Sequence, residues 1–359
     1  PCMDLPRGEV LAALRTWLPA QRWFAGKGQA VGELRFAAIT PLGPDMWNSV
    51  VLVDGVPYQV PLCVNEAHDG LIAGALRDGA RCERAMSALL ESARWLVAPP
   101  HPLRFRPLTV EQSHSAGVCA EQVFVKLYRR LTQGLNPDVE VPLALSGSQV
   151  TPRLLGWTDT EFGTGALLQE YLPHAAVGWD LARQGPFDAY GLGRTTAQLH
   201  SELARAFPTG TEDVREAIVD RLQAIDIPEV AQLRPALLER IEPLGAVPVQ
   251  RIHGDYHLGQ VLHSDGAWKV IDFEGEPDRP GRGALDSPWR DVAGMLRSFD
   301  YAGSQAGPEF LAGYGMPAEA DLLTAFLIDK AAFEVLYEKR NRPDWVHIPL
   351  RALRDLAAG

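Results

Sequence analysis

The chain is 359 residues long, 46% hydrophobic and 22% charged, enough apolar content for a sizeable core and for two or three domains. Its formal net charge of −11 excludes the broad basic face that nucleic acids or an anionic membrane surface require. A phosphate-rich nucleotide remains compatible with that charge, because bound magnesium and a few local cations can supply the positive potential.

The opening segment carries Val10, Leu11, Leu14, Trp17 and Leu18 at helical spacing and predicts an amphipathic helix that runs into Pro19. The string Gln21-Arg22-Trp23-Phe24-Ala25-Gly26-Lys27 follows, then strand-like runs at Ser49–Val53 and Tyr58–Leu62, then a helix from about Arg81 to Leu90 before Pro99-Pro100. Residues 1–104 therefore read as a small α+β cap subdomain. Strand character returns at Val123–Leu127 and at Ala166–Tyr171, so residues 105–172 read as a β-rich lobe. Beyond Pro173 helical patterns dominate (Tyr190–Ala206, Val214–Ala224, Leu322–Asn341), interrupted by short apolar runs at Val247–Ile252 and Trp268–Phe273. Residues 173–359 read as a helical lobe. The fold class expected from these elements is α+β: a β-rich lobe followed by a helical lobe, behind a small N-terminal α+β unit.

The chemistry sits on the two interruptions. His253-Gly254-Asp255-Tyr256-His257-Leu258-Gly259-Gln260 is followed by Trp268-Lys269-Val270-Ile271-Asp272-Phe273-Glu274. Phosphoryl transfer needs a carboxylate to orient the attacking hydroxyl and oxygen ligands to hold magnesium on the phosphates. Kinase catalytic loops place the base five residues before an amide metal ligand, with the metal aspartate on the next strand. Asp255 and Gln260 have that spacing, and Asp272 follows, so Asp255 is the candidate base and Gln260 and Asp272 the candidate metal ligands. His253 is expected to brace the loop backbone and is also a candidate substrate contact, with Glu274.

Lys126, closing an apolar strand, suits the α- and β-phosphates of ATP, and Glu140 is its expected ion-pair partner. Ser113 and Ser115 could offer hydroxyls to the phosphates, and the stretch around Gln169 and Tyr171 is the candidate adenine segment. On the last long helix, Lys330, Glu334, Tyr337 and Asn341 share one face by spacing. Charge, amide and aromatic together suit a sugar; the bland alternative is a solvated face with a Lys330–Glu334 salt bridge. Glu338 and Arg340 are near enough to contribute. Trp179-Asp180 and Arg290-Asp291 are expected to stabilise the helical lobe.

These motifs resemble the aminoglycoside and choline kinase group, and the longer strings are similar to those of actinobacterial maltokinases. They include Gln21–Gly26, Gly134–Glu140, His257–Leu262, Ile271–Pro277, Asp286–Gly294 and Asp329–Ala331 through Arg351. The resemblance implies a bilobal protein-kinase-like fold with an N-terminal cap subdomain, transfer of phosphate from ATP to the anomeric hydroxyl of maltose with Mg2+, a place in glycogen or α-glucan synthesis, and a trehalose-to-maltose isomerase as a partner. The alternatives are a related kinase acting on glucosamine, an aminoglycoside or another hydroxylated metabolite, and a nucleotide-binding pseudokinase. The four cysteines lack CxxC or zinc-like spacing, the start lacks a signal-peptide pattern, and no apolar run reaches the length of a membrane span. A cytoplasmic location is the expectation.

Overall fold

Helix α1 (Arg7–Trp17) buries Val10, Leu14 and Trp17 along one face, as their spacing predicts. In the computed structural model, which describes residues 4–26, 28–64, 71–109, 114–276, 283–315 and 320–359, the chain divides into two compact units. The first comprises Pro1–Ser146 with Pro152–Pro173, the second Gly147–Thr151 with His174–Gly359.

In the first unit α1 packs on an antiparallel sheet of β1 (Leu34–Gly43), β2 (Met46–Val53), β3 (Val56–Val64), β4 (Leu71–Ala73) and β5 (Leu76–Asp78). The order is β1-β2-β3-β5-β4. The β2–β3 hairpin turns on Asp54-Gly55, both at positive φ (49° and 82°), the geometry that matches strand twist in a two-residue loop. Trp17, Leu18, Phe24, Trp47, Val51, Tyr58, Val60 and Leu62 form the core beneath.

Helix α2 (Glu83–Glu91) leads to the second sheet, built from β6 (Arg94–Trp95), β7 (Phe105–Pro107), β8 (Ser115–Cys119) and β9 (Val123–Leu127). After α3 (Pro137–Ala144) it adds β10 (Leu154–Thr160) and β11 (Gly163–Glu170), in the order β6-β10-β11-β9-β8-β7. Met86, Leu89 and Leu90 of α2 fill the space over Val123, Val125, Leu127 and Leu168. Two buried polar side chains join the two sheets. Gln59 donates to the carbonyls of Tyr128 and Gly165 (3.0 and 2.9 Å), and Arg129 pairs with Asp78 while its guanidinium lies 4.6 Å from the Trp23 ring centre. The Trp of the Gln21–Gly26 string thus has a structural task.

The second unit contains β12 (Ala176–Val177), α4 (Gly178–Gln184), α5 (Ala189–Ala206), β13 (Thr209–Asp213), α6 (Arg215–Ala224) and α7 (Pro228–Ile241). Next come β14 (Ala246–Arg251), β15 (Val261–Ser264), β16 (Ala267–Val270) and β17 (Leu285–Asp286). Helices α8 (Pro288–Ala302), α9 (Gly307–Tyr314), α10 (Ala320–Asn341) and α11 (His347–Ala358) complete it. Its strands form two small sheets, β12-β15-β16 and β13-β14-β17, and the loops that leave β14 and β16 carry the two motifs. Helix α8 has a legible start: Ser287 accepts the Trp289 N–H, Pro288 occupies the first turn, and Gly303 closes the far end at φ 72°. Among the described residues no helix is long and apolar enough to cross a membrane.

Candidate active site

The loop after β14 is held by buried groups on both sides of Asp255. The carboxylate of Asp291, on α8, accepts the backbone N–H groups of His253 (2.8 Å) and Gly254 (3.0 Å) and lies 3.0 Å from Nε2 of His200 on α5. Burial pushes the Asp291 carboxyl up, but the His200 contact and the other donors outweigh it and hold it below the usual carboxylate value. Nδ1 of His253 accepts the Asp255 N–H at 3.3 Å, which leaves Nε2 as the protonated nitrogen, donating to the Ile271 carbonyl at 2.9 Å. His253 therefore ties the Asp255 loop to the segment that enters Asp272. It is buried with both ring nitrogens engaged, as the expected brace requires, and is not among the residues that line the cavity described below.

Tyr256, fully buried, bonds through its hydroxyl to Thr196 on α5 (2.8 Å), and Thr196 donates onward to the Leu192 carbonyl (2.8 Å). Nδ1 of His257 accepts the Gly259 N–H (3.0 Å), so Nε2 carries the proton and stands 3.9 Å from an Asp255 oxygen. Burial lowers the His257 pKa, with Asp255 acting against it, and keeps the ring neutral.

Gln260 and Asp272 converge: the Gln260 amide nitrogen donates to Asp272 Oδ2 at 3.1 Å. Asp272 sits at φ 65°, an uncommon conformation for a residue with a side chain and one that clusters at functional sites. An oxygen of Glu274 lies within 4.8 Å of one from Asp272. An all-oxygen set of carboxylates and an amide suits a hard divalent cation such as magnesium. Glu274 is half-buried and does not line the cavity; the carboxylate that does is Glu276.

In the first unit Lys126 is buried and its ammonium lies 2.7 Å from Asp138, which also accepts the Tyr128 hydroxyl (3.0 Å). Asp138, two residues before the expected partner Glu140, is a carboxylate at ion-pair distance. The Asn136 side chain caps α3 by accepting the Asp138 N–H (2.9 Å), and that cap fixes Asp138 in the first turn, where a carboxylate is favourable. Glu140 lies half-buried further along the same helix. Ser115 accepts a hydrogen bond from Arg129 (2.8 Å), while Ser113 lies outside the described residues. Gln169 is on β11 opposite Phe124, and the Tyr171 N–H donates to the Gln122 carbonyl (2.9 Å).

A cavity of about 850 Å³ opens in the second unit beside Asp255 and His257. Lys330, Glu334, Tyr337 and Glu338 line it along α10, whereas Arg340 is exposed and outside it. Lys330 and Glu334 do not pair as their spacing suggested: Lys330 reaches Glu276 (2.7 Å) and Glu334 pairs with Arg297 (2.7 Å). Burial raises the Glu334 pKa against the pull of Arg297. Trp179 and Arg290 also line the cavity, and Trp345, Tyr301 and Phe333 add aromatic surface. Arg342, Arg221 and Asp329 line it too; Arg290 and Arg342 have a local signal in their i,i+4 partners Asp286 and Glu338, whereas Arg221–Asp329, 108 positions apart, has none.

A family model described as "Phosphotransferase enzyme family" matches residues 102–324, more than half of the chain. The chain belongs to that family. A second model, the maltokinase N-terminal cap domain, matches residues 17–82 of this phosphotransferase. A glucosamine kinase of Streptacidiphilus jiangxiensis is 28% identical, the match covering 99% of this chain and 95% of that protein. A second glucosamine kinase, from Mycolicibacterium smegmatis, is 25% identical over 69% of this chain and 78% of its own length. A solved structure of a glucosamine kinase in complex with glucosamine, ADP and inorganic phosphate aligns with a TM-score of 0.72 at 24% identity, covering 99% of this chain and 100% of that one. The phosphotransferase thus has the kinase-like fold, sheet-rich first and helical second, with an N-terminal cap.

Proposed function

We propose that this phosphotransferase moves the γ-phosphate of ATP to a sugar hydroxyl held in the cavity of the second unit, with the anomeric hydroxyl of maltose as the acceptor. The observation that carries the reading is Asp255, a carboxylate tied down at its backbone and opening onto a cavity lined by aromatic rings and polar groups. Aromatic faces suit the C–H faces of sugar rings, and about 850 Å³ accommodates a disaccharide.

Asp255 takes the proton of the attacking hydroxyl as that oxygen bonds to the γ-phosphorus and ADP leaves. The anomeric hydroxyl is the most acidic on the sugar, so the mismatch with a carboxylate base is smallest there. The neutral His257 directs its Nε2–H toward the same region and can hold a sugar oxygen or the Asp255 carboxylate. Gln260 and Asp272, with Glu274 beside them, would hold a divalent cation, which when bound supplies positive charge against the phosphate oxygens. In the first unit Lys126, oriented by Asp138, is the candidate cation for nucleotide phosphates. The second glucose ring adds contacts far from the reacting oxygen, and that binding energy can align the acceptor.

A second reading, glucosamine as acceptor, is favoured by the relatives: glucosamine kinases match along nearly the whole chain. An ADP-release assay over maltose, glucose, glucosamine and trehalose separates the two. The expected result is the highest kcat/KM for maltose, giving a product that is non-reducing and loses its phosphate in mild hot acid. A reducing, acid-stable product, or a preference for glucosamine, overturns maltose as the acceptor.

A further inference from the structure

Two arginines line the cavity with the same local geometry. Arg221, from α6, meets Asp329 of α10 side-on, its Nε and Nη2 each donating to one carboxylate oxygen (2.9 and 2.8 Å). Arg342, just beyond α10, meets Glu338 in the same way (2.9 and 2.6 Å). A guanidinium carries N–H donors on all three nitrogens, so this pairing leaves Nη1 uncommitted. Among the described residues neither Nη1 has a hydrogen-bond partner.

In both pairs the arginine is the accessible member. The Arg221 side chain is 42% exposed against 6% for Asp329, and that of Arg342 is 47% exposed against 1% for Glu338. The carboxylates lie behind, and the guanidiniums are what a ligand meets. Arg290, also on the wall, is buried and spends its arms on Asp286 and Asp329.

Each accessible guanidinium is held in place. Asp329 is gripped from a second direction by Arg290 (2.8 Å), and Glu338 by the Tyr301 hydroxyl (3.0 Å). The Arg342 guanidinium also lies 5.7 Å from the Tyr337 ring centre and 5.0 Å from that of Trp345. Donors fixed in this way lose little freedom when they bind an oxygen.

The two arginines stand at different distances from the reacting centre. Asp329 precedes Lys330, whose Cε shares the space beside Gly294 with the carbonyl oxygen of Tyr256, the residue after Asp255 (3.4 and 2.6 Å from where a side-chain carbon would stand on that glycine). Glu338 follows nine residues after Asp329. That is roughly 13 Å further along the helix axis, an interval longer than one pyranose ring and on the scale of two linked rings.

We infer that Arg221 and Arg342 divide the acceptor between them: Nη1 of Arg221 holds hydroxyl oxygens of the ring that is phosphorylated, and Nη1 of Arg342 holds those of the ring beyond it. Arg342 is thereby the residue that makes the site prefer a disaccharide. The inference rests on reading this cavity as the acceptor site, and it deepens that reading by naming the donors that sense acceptor length. A hydroxyl can accept from such donors, so a second ring gains binding that a monosaccharide cannot.

The measurement is the ratio of kcat/KM for maltose to that for glucose. Arg342→Lys keeps a charge opposite Glu338 but spends its single nitrogen there. The ratio is expected to fall by about tenfold, the scale of one hydrogen bond from a charged donor. Arg221→Gln removes donors from the ring common to both sugars and leaves Arg290 opposite Asp329. It is expected to lower kcat/KM for both sugars and to keep their ratio within about twofold of the parent. Damage to the fold lowers both sugars together in either variant, so a fall in the ratio confined to Arg342→Lys is specific to the second ring.

A ratio within twofold of the parent in Arg342→Lys overturns the inference, as does a fall in Arg221→Gln as large as that in Arg342→Lys. If Arg342→Lys does not fold, as judged by its thermal transition, the double variant Glu338→Gln with Arg342→Gln carries the test. It keeps a neutral hydrogen-bonded pair, and the same fall is expected. A parent chain that phosphorylates glucosamine and not maltose loses the acceptor assigned above. Maltose and glucose are then compared as competitive inhibitors of glucosamine turnover. A maltose-to-glucose Ki ratio raised about tenfold by Arg342→Lys supports the inference, and an unchanged ratio overturns it.

Discussion

Asp255 combines a fixed backbone with a free-facing carboxylate. Its N–H is bonded to His253, whose other nitrogen is committed to Ile271, while its side chain faces the cavity with the neutral His257 3.9 Å away. That is the arrangement a general base needs: its position is set by groups that do not themselves react. Asp255→Asn keeps the shape and the backbone bonds but cannot accept the hydroxyl proton. The expected outcome is a kcat lower by about 10²–10⁴-fold with nucleotide affinity nearly unchanged. Single-turnover kinetics beside nucleotide titration checks it, and near-normal turnover removes Asp255 from the mechanism.

Among the elements, α5 bears most directly on the proposed mechanism, because it holds the Asp255 loop at two points. Thr196 and His200 lie one helical turn apart on the same buried face. Thr196 takes the Tyr256 hydroxyl, on the C-terminal side of Asp255; His200, through Asp291, supports the N–H groups of His253 and Gly254 on the other side. His200 is itself steadied by the Tyr314 hydroxyl (2.8 Å). Thr196→Val and Tyr256→Phe each delete the same hydrogen bond, at a cost of about 1 kcal/mol in stability. If the bond positions Asp255, each lowers kcat by about tenfold and leaves the KM for ATP nearly unchanged. The double variant is expected to be no worse than either single, since both remove one shared interaction, and Thr196→Ser retains most of the activity. Steady-state kinetics with thermal melts distinguishes this from general damage, which moves both KM values with kcat.

At the scale of the molecule, buried ion clusters make stability depend on pH. Burial raises the Asp329 carboxyl, but its bonds to Arg221 and Arg290 outweigh that and hold it below its ordinary value of 3.8; Asp291 is held low in the same sense by His200 and the loop N–H groups. A carboxylate depressed in the folded state stabilises fully above its unfolded pKa, and that stability is lost as pH falls through the folded value. Glu334, raised from 4.5 by burial, has the opposite sign: its charged form costs stability at neutral pH, and the cost fades as it protonates. The thermal midpoint is therefore expected to fall steeply below pH 3.8. Asp329→Asn should lower stability at pH 7 by about 3 kcal/mol, because it leaves a buried guanidinium undercompensated. Its acid limb should be shallower, one titrating group being gone. Calorimetric scans of both proteins across this range check it, and parallel acid limbs exclude Asp329 as a contributor.

Local patterns in the sequence carried the elements that depend on near neighbours. The Val123–Leu127 strand was legible as a short run of β-branched and apolar residues, and the helix through Tyr190–Ala206 and the long helix ending at Asn341 from their helical spacing. The Asp255, Gln260 and Asp272 spacing was legible for a similar reason, since one loop and one following strand hold all three. What only the tertiary structure decided is pairing at a distance. Lys126 meets Asp138, which the Asn136 cap holds in the first turn of α3. Lys330 and Glu334 stand one turn apart on α10, yet Glu276 and Arg297, from other segments, claim them. Helical spacing brings two charges to one face, but a buried charge takes the partner that best replaces its lost water, and three-dimensional packing selects that partner. The sequence by itself indicated where phosphoryl chemistry is expected; the ion pairs that line the cavity exist only once the chain has folded.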